Sequence, residues 1–176
     1  MGEIAVREPS RDDSRALADF LRDLPEGERR FLKREAIDAD ALLDQWLRND
    51  RERHIIAAEG EHIAGIAAAL PGIGWSSHVA EVEVLVGRSH RRRGLGRQLA
   101  RRALVSALEQ GCTHVYVEVL AEQEALTAMF QELGFRPEAL LRDFVRDSAG
   151  TLHDLLMLTH RVDDHSPLVE AMGAGA

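Results

Sequence analysis

The side chains with the most specific chemical potential form a short basic segment with two glycines, Arg91-Arg92-Arg93-Gly94-Leu95-Gly96-Arg97. The segment lies between an alternating apolar run at residues 82–86 and a helical pattern at residues 98–110. Glycines let backbone N–H groups close on an anion, and the positive end of a helix dipole favours negative charge at the same place. The segment therefore predicts a binding site for a phosphate group.

The charge of this region also favours a phosphate ligand. Seven arginines and no acidic residue lie between Arg88 and Arg102, although the whole chain has a net charge of −8. Outside that window, 15 basic residues stand against 30 acidic ones. Such a surface repels nucleic acid, whereas a compact phosphorylated ligand needs only the local patch. A nucleic-acid-binding protein that uses the arginine cluster is the weaker alternative, and we expect neither a nucleic-acid nor a membrane partner.

The spacing excludes two common phosphate loops. The dinucleotide-binding fingerprint has a third glycine where this chain has Leu99, and the P-loop has a Lys followed by Ser or Thr, which this chain lacks after Gly96. The pattern that does match is Arg/Gln-x-x-Gly-x-Gly/Ala, with Arg91, Gly94 and Gly96 at the defined positions. This loop resembles the coenzyme A pyrophosphate loop of the GNAT superfamily of N-acetyltransferases.

The resemblance extends into the second half of the chain. The segment Val117-Glu118-Val119, then Gln123, Phe130 and Gly134-Phe135, is similar to places where the family usually has Glu, Asn, Tyr and Gly-Phe. Gln123 replaces the usual Asn, and Phe130 replaces the usual Tyr, which removes a candidate acid for the departing thiolate. Tyr116, on the same strand face as Glu118, is a substitute for that acid, although a packed strand aromatic is the simpler interpretation.

The resemblance implies acetyl-CoA as cosubstrate. We expect no metal, because Cys112 has no Cys or His partner pattern. The resemblance also implies that the fourth and fifth strands splay apart where pantetheine enters, so that backbone groups of the fourth strand pair with the pantetheine amides. The implied cofactor-binding residues are Val84, Leu85, Val86, Arg91, Arg92, Arg93, Gly94, Leu95, Gly96, Arg97, Gln123 and Phe130.

Acetyl transfer to an amine also needs a base, because an alkylamine is mostly protonated at pH 7. Three strand carboxylates qualify, namely Glu118, Glu83 and Glu81. Glu118 is preferred, since it lies five residues before Gln123, where the similar ribosomal-protein N-terminal acetyltransferases carry an acting base. Glu81 and Glu83 share one strand face and could reach the same cleft from across the splay. No pattern suggests a covalent nucleophile, so we expect direct transfer in a ternary complex.

The acceptor pocket is predicted in the loop before the fourth strand. Trp75, Ser76 and His78 would supply an aromatic wall and hydrogen-bonding groups, although a surface position is the simpler interpretation of a lone loop histidine. The acidic surface favours an acceptor that is cationic in solution, a small molecule or a peptide amine. These observations predict an acyl-CoA-dependent N-acyltransferase. The alternative is a non-catalytic acyl-CoA sensor, which Phe130 would fit.

Periodicity and turn residues predict an α+β three-layer fold. We expect a mixed, mostly antiparallel sheet of about seven strands flanked by about four helices. The predicted strands are 4–7, 54–59, 62–70, 80–86, 114–120, 139–146 and 152–158, and the predicted helices are 10–24, 40–49, 98–110 and 122–133. Phe20, Phe31 and Trp46 fall on apolar helix faces and are predicted in the core.

Length and composition suit one domain. The 176 residues are expected to form a single domain at residues 1–162 and a flexible tail at 163–176. Cys112 is the single cysteine, which excludes an intrachain disulfide, and we expect it buried at a strand start. No apolar leader or long apolar run is present, so we expect a cytoplasmic protein. The oligomeric state is left open, with a homodimer among the options.

Overall fold

The computed structural model describes residues 3–25, 38–147 and 149–162. In this part of the chain, seven strands form one mixed sheet in the order β1-β2-β3-β4-β5-β7-β6. The strands are β1 Ile4–Arg7, β2 Arg53–Glu59, β3 His62–Pro71, β4 Val79–Val86, β5 His114–Leu120, β6 Arg136–Arg146 and β7 Leu152–Arg161. The α-helices are α1 Ser14–Asp23, α2 Ala39–Arg48, α3 Leu95–Glu109 and α4 Glu124–Glu132. The predicted fold class is confirmed.

The centre of the sheet opens between β4 and β5. These two strands pair in parallel, whereas the other neighbouring strands pair antiparallel. Among the described residues, the parallel ladder holds three pairs and ends at Glu81 and Tyr116. Beyond that point β4 stays paired with β3 as far as Val86, and β5 stays paired with β7 as far as Leu120. The carboxyl ends of β4 and β5 therefore diverge, as the family resemblance implies.

Two apolar cores cover the two faces of the sheet. On one face, α3 and α4 pack over alternate residues of β4 and β5, among them Val82 and Val117. On the other face, α1 and α2 bury Phe20 and Trp46 against Ile56 and neighbouring residues of β2 and β3, as predicted for both aromatic residues. Because strand side chains alternate, the polar residues of β4 and β5 are directed to the face that carries α1 and α2.

A glycine on β3 sets how closely α3 approaches the sheet. A Cβ atom at Gly65 would lie 2.8 Å from Cδ1 of Leu99 and 2.9 Å from the carbonyl oxygen of Leu85. Neither distance is tolerated by a real methyl group, so only glycine allows this packing. In the dinucleotide-binding loop, a glycine in the helix allows close packing of the helix on the strand. Here a glycine in the strand below the helix allows it.

Some element boundaries differ from the sequence prediction. Helix α3 begins at Leu95, three residues earlier than predicted, because Leu95 is 3% exposed and anchors the first turn in the core. Strand β6 begins at Arg136 and includes Pro137, which an edge strand accommodates because it has a side without a ladder. Strand β7 continues to Arg161.

Several further expectations concern regions outside these elements. Cys112 is buried, as predicted, and burial raises the pKa of its thiol. No helix within the described ranges is long and apolar enough to cross a membrane. Residues 26–37, which include Phe31, and the expected tail at 163–176 lie outside the described residues. The division into one domain and a tail stays a prediction.

Candidate active site

The phosphate-loop segment follows directly from the open end of β4. Gly87 leads into a short 3₁₀ turn at Arg88–His90, and α3 begins after Gly94. Arg92 and Gly94 have left-handed backbones, with φ of 58° and 80°. Alternation of left- and right-handed residues turns successive N–H groups towards one side and forms an anion-binding concavity. The first turn of α3 adds its own N–H groups at this place, and phosphate binding there stays a prediction.

Four arginines belong to this segment. Arg91, Arg92, Arg93 and Arg97 are all exposed. Arg91 also donates a hydrogen bond from Nε to the carbonyl oxygen of Val86 at 3.0 Å, which ties the loop back to the end of β4. Arg97 pairs with Glu132 of α4 at 2.8 Å. Part of the arginine cluster therefore holds elements together, while its positive charge remains at the mouth of the opening.

Gly96 lies where α3, β4 and α4 meet. A Cβ atom there would stand 3.5 Å from Cγ2 of Val86 and 3.6 Å from Sδ of Met129, both ordinary contacts. The protein itself therefore has room for a methyl group at this position. The sequence prediction missed Met129, because the helical pattern of α4 shows which face the residue occupies but not that this face meets the phosphate loop.

The three candidate carboxylates lie on one face of the opening. Glu81 and Glu83 alternate along β4, and Tyr116 and Glu118 alternate along β5, all of them half-buried. The register that pairs Glu81 with Tyr116 would place Glu83 opposite Glu118, but the ladder has ended by then. The structure thus brings the predicted carboxylates to the two edges of the same gap, on the face opposite α3.

His54 is a neighbour of these carboxylates that the sequence did not single out. In the sheet, His54 and Glu83 are the two cross-strand neighbours of Ala68, whose small side chain separates them. The His54 ring stacks on Trp46 with ring centroids 4.4 Å apart, and its Nε2 lies 2.8 Å from Oε2 of Glu52. A buried, oriented imidazole therefore borders the acidic face.

The α4 side of the opening contains Gln123 and Phe130. The Leu120 N–H donates to Oε1 of Gln123 at 3.1 Å, so this side chain closes the turn from β5 into α4. Phe130 is 3% exposed and packs edge-on against Phe135, with ring centroids 5.3 Å apart. Both residues belong to the framework of the opening, and contact of either with a coenzyme stays a prediction.

The predicted acceptor loop lies at the other end of β4. Trp75 is 95% exposed in the short turn Gly74–Ser76. The His78 carbonyl accepts from the N–H groups of Thr113 and His114, and the two histidine rings meet edge to face at 5.4 Å. The structure therefore separates Trp75, Ser76 and His78 from the phosphate loop by the whole of β4, with the acidic face between them. Their role in acceptor binding stays a prediction.

Comparison with known proteins finds one matching family and several similar solved structures. The model of the Acetyltransferase (GNAT) family matches residues 17–135 of this chain. Among curated protein sequences, none matches it. A Salmonella typhimurium structure with its cofactor acetyl-CoA is 18% identical, with a TM-score of 0.76 over 93% of this chain and 96% of that one.

Two further solved structures are of enzymes whose names include the acceptor. The ribosomal-protein-alanine N-acetyltransferase of Brucella melitensis is 22% identical, with a TM-score of 0.74 over 90% of this chain and 99% of that one. Mutant forms of the spermidine/spermine N-acetyltransferase of Vibrio cholerae are 17% identical, with a TM-score of 0.71 over 99% and 100% of the two chains. At these identities the structures share the fold alone with this chain.

Proposed function

This chain belongs to the GNAT acetyltransferase family, and on that premise we propose that it transfers the acetyl group of acetyl-CoA to a primary amine by direct attack in a ternary complex. One observation carries the proposal. The glycine-containing start of α3 lies at the mouth of the β4–β5 opening, and three carboxylates line the face of the same opening. A candidate phosphate site and candidate bases thus border one gap.

The residues present fit the coenzyme at both ends of the opening. Backbone N–H groups of residues 92–96 would hold the pyrophosphate, assisted by the exposed arginines. The ladder from β4 to β5 stops at Glu81, so the edge of β4 along Val84, Leu85 and Val86 faces the gap, where it would pair with the pantetheine amides beside the Arg91 bond to the Val86 carbonyl. The thioester would then lie near the closed end of the gap, beside the carboxylates.

The proposed reaction uses one of those carboxylates as the base. Glu118 removes a proton from the ammonium group, directly or through water, and the neutral nitrogen attacks the thioester carbonyl. The new C–N bond forms as the C–S bond breaks, and the second nitrogen proton is lost as the amide forms. The thiolate leaves with a proton from water or from Tyr116, or leaves unprotonated. Glu83, across the gap, and Glu81 are the alternative bases.

Charge supports a cationic acceptor. The face that an acceptor would approach holds Glu81, Glu83 and Glu118, and the chain as a whole has a net charge of −8. An ammonium group is drawn to such a surface. Two structural neighbours are named for a peptide alanine and for polyamines, both of which are cationic amines. We therefore propose a cationic primary amine, on a small molecule or a peptide. The lone cysteine fits a reducing, cytoplasmic location.

A two-stage experiment tests the proposal. Calorimetry first measures binding of acetyl-CoA, and a library of primary amines is then incubated with protein and acetyl-CoA and read by mass spectrometry. Binding together with an acetylated amine is expected. Phe130, in place of the usual tyrosine, keeps a non-catalytic acyl-CoA sensor as the second candidate, and that candidate predicts binding with no acetylated product. Absence of acetyl-CoA binding would contradict both.

A further inference from the structure

Hydrogen bonds among three side chains join the start of the phosphate loop to the carboxyl end of strand β2. His90, the last residue of the 3₁₀ turn Arg88–His90, has Nε2 2.9 Å from Oε2 of Glu59. Its Nδ1 lies 2.9 Å from the hydroxyl oxygen of Ser89. The side chains of His90 and Glu59 are only 16% and 26% exposed. The contact thus links two elements that are 31 residues apart in sequence and is partly shielded from water.

The chemistry of the two groups determines which atom donates the hydrogen bond and which accepts it. An ionised carboxylate only accepts hydrogen bonds, so Nε2–H of His90 donates to Glu59. In the neutral ring Nδ1 is then the acceptor, and the Ser89 hydroxyl donates to it. Glu59 thereby determines both the tautomer and the orientation of the imidazole.

Glu59 is well placed to act as a fixed support. It pairs with Ile4 of β1 on one side and with His62 of β3 on the other, so its backbone is held within the sheet. The hairpin turn after it, which begins at Gly60 with φ of 62°, keeps the two strands in register. His90, by contrast, lies in a short 3₁₀ turn, where its N–H donates to the Gly87 carbonyl three residues earlier.

The loop after His90 has a conformation that requires support. Arg92 has φ of 58°, a left-handed backbone that is unfavourable for a residue with a side chain. Such strain persists only when neighbouring structure holds it in place. The Gly87 N–H bond to the Ala64 carbonyl, at 2.9 Å, fixes the start of the turn. The bond from Arg91 to the Val86 carbonyl fixes the start of the loop, and His90 lies between these two ties.

We propose that Glu59, acting through His90, is a positioning residue that holds the coenzyme-binding loop in its anion-binding shape before the ligand arrives. This inference rests on the proposed function. A loop that is already ordered binds without the entropic cost of ordering, so loss of Glu59 weakens binding of acetyl-CoA. Glu59 lies away from the carboxylate face of the opening and takes no part in transfer once the coenzyme is bound.

The test compares three variants of the full chain. Glu59→Ala removes the acceptor, Glu59→Gln retains an acceptor oxygen of the same reach, and Glu61→Ala is the control in the neighbouring hairpin turn. We expect Glu59→Ala to raise the Kd and KM for acetyl-CoA roughly tenfold, with kcat at saturating acetyl-CoA unchanged. Glu59→Gln should recover most of the affinity, and Glu61→Ala should match the wild type.

Hydrogen exchange of residues 88–94 in the unliganded protein provides a readout that does not depend on function. Glu59→Ala should accelerate exchange there, while exchange in β5 stays unchanged. Should Glu59→Ala fold poorly, His90→Phe retains a ring without the hydrogen bonds and is expected to give the same binding defect. Wild-type affinity together with wild-type exchange in Glu59→Ala would overturn the positioning role. A wild-type protein that does not bind acetyl-CoA would instead overturn the proposed function, and exchange alone would then decide whether Glu59 orders the loop.

Discussion

The hydroxyl group of Tyr116 donates a hydrogen bond to Oε2 of Glu81 at 3.1 Å, across the last pair of the β4–β5 ladder. This bond lies at the closed end of the opening and orients the Glu81 carboxylate. Glu83 and Glu118 are one step further on, where the strands have separated. The three candidate carboxylates are therefore not equivalent, because Glu81 helps to close the gap while Glu83 and Glu118 border it.

The position of Glu118 at the edge of the gap leads to the first prediction. Glu118→Gln keeps the shape of the side chain and removes the charge that accepts the amine proton. We expect turnover to fall by about 10²–10⁴-fold, with little change in acetyl-CoA affinity by calorimetry. Glu81→Gln and Glu83→Gln are the matched controls. If Glu118→Gln is fully active and one control is not, the base is the residue whose substitution removes turnover.

The second prediction concerns Gly96, where the protein has room for a methyl group but not for much more. Gly96→Ala should bind acetyl-CoA within a few-fold of wild type, since its Cβ makes only ordinary contacts. Gly96→Val adds two methyl groups that must turn towards Val86, Met129 or the space in front of the helix N–H groups. We expect it to weaken acetyl-CoA binding about 100-fold or more by blocking the anion. Calorimetry measures both affinities, and a melting curve controls for folding. Normal affinity in Gly96→Val would place the phosphate site elsewhere.

Strand alternation was sufficient to predict the acidic face. Two-residue periodicity puts Glu81 and Glu83 on one side of β4, and Tyr116 and Glu118 on one side of β5. The resemblance supplied the adjacency of these two strands and their divergence. Together they predict that these side chains share one face of the opening.

Contacts distant in sequence were not predictable in the same way. The His90–Glu59 bond and the approach of Leu99 to Gly65 each join residues more than thirty positions apart. Periodicity shows which face a residue occupies, but not which residue it meets there. The sequence pattern also predicts the start of α3 three residues too late. Glycine is a poor helix former, so Gly96 favoured a later start, whereas burial of Leu95 in the core overrides that preference.

The third prediction follows from the burial of Phe130. Its ring is 3% exposed and lies against Phe135, so the hydroxyl group of Phe130→Tyr would lack a partner. We expect the free energy of unfolding to fall by about 1–3 kcal/mol, with no gain in turnover and no recovery by acetyl-CoA beyond that of the wild type. Phe135→Tyr, in the same ring pair, is the control for a purely structural cost. Wild-type stability with faster turnover would instead place residue 130 beside the coenzyme sulfur and show that proton supply limits the rate.

The last prediction concerns His160, a buried histidine under the turn that ends α4. His160 lies in β7, and the centroid of its imidazole ring is 5.4 Å from the centroid of the Phe135 ring. Gly134 has φ of 89°, and a Cβ atom there would approach the imidazole to 3.1 Å, so a substitution at this position would be strained. Burial lowers the pKa of His160 from its ordinary value of 6.5, and neither ring nitrogen has a hydrogen-bond partner among the described residues. The neutral ring is therefore the form that the folded protein favours.

The sign of the resulting pH dependence follows from proton binding. Below pH 6.5 the unfolded chain protonates His160 before the folded chain does, so this residue makes the protein less stable as pH falls from 6.5 towards the lowered pKa. Above pH 6.5 both states are neutral and the contribution is constant. Urea unfolding at pH 7.5, 6.5 and 5.5 should show a smaller loss of stability in His160→Gln than in wild type. The difference cannot exceed about 1.4 kcal/mol per pH unit for one proton. His62→Gln, at an exposed position of β3, controls for removal of a histidine as such. If His160→Gln and wild type lose stability in parallel, protonation of His160 does not contribute to the loss of stability at low pH.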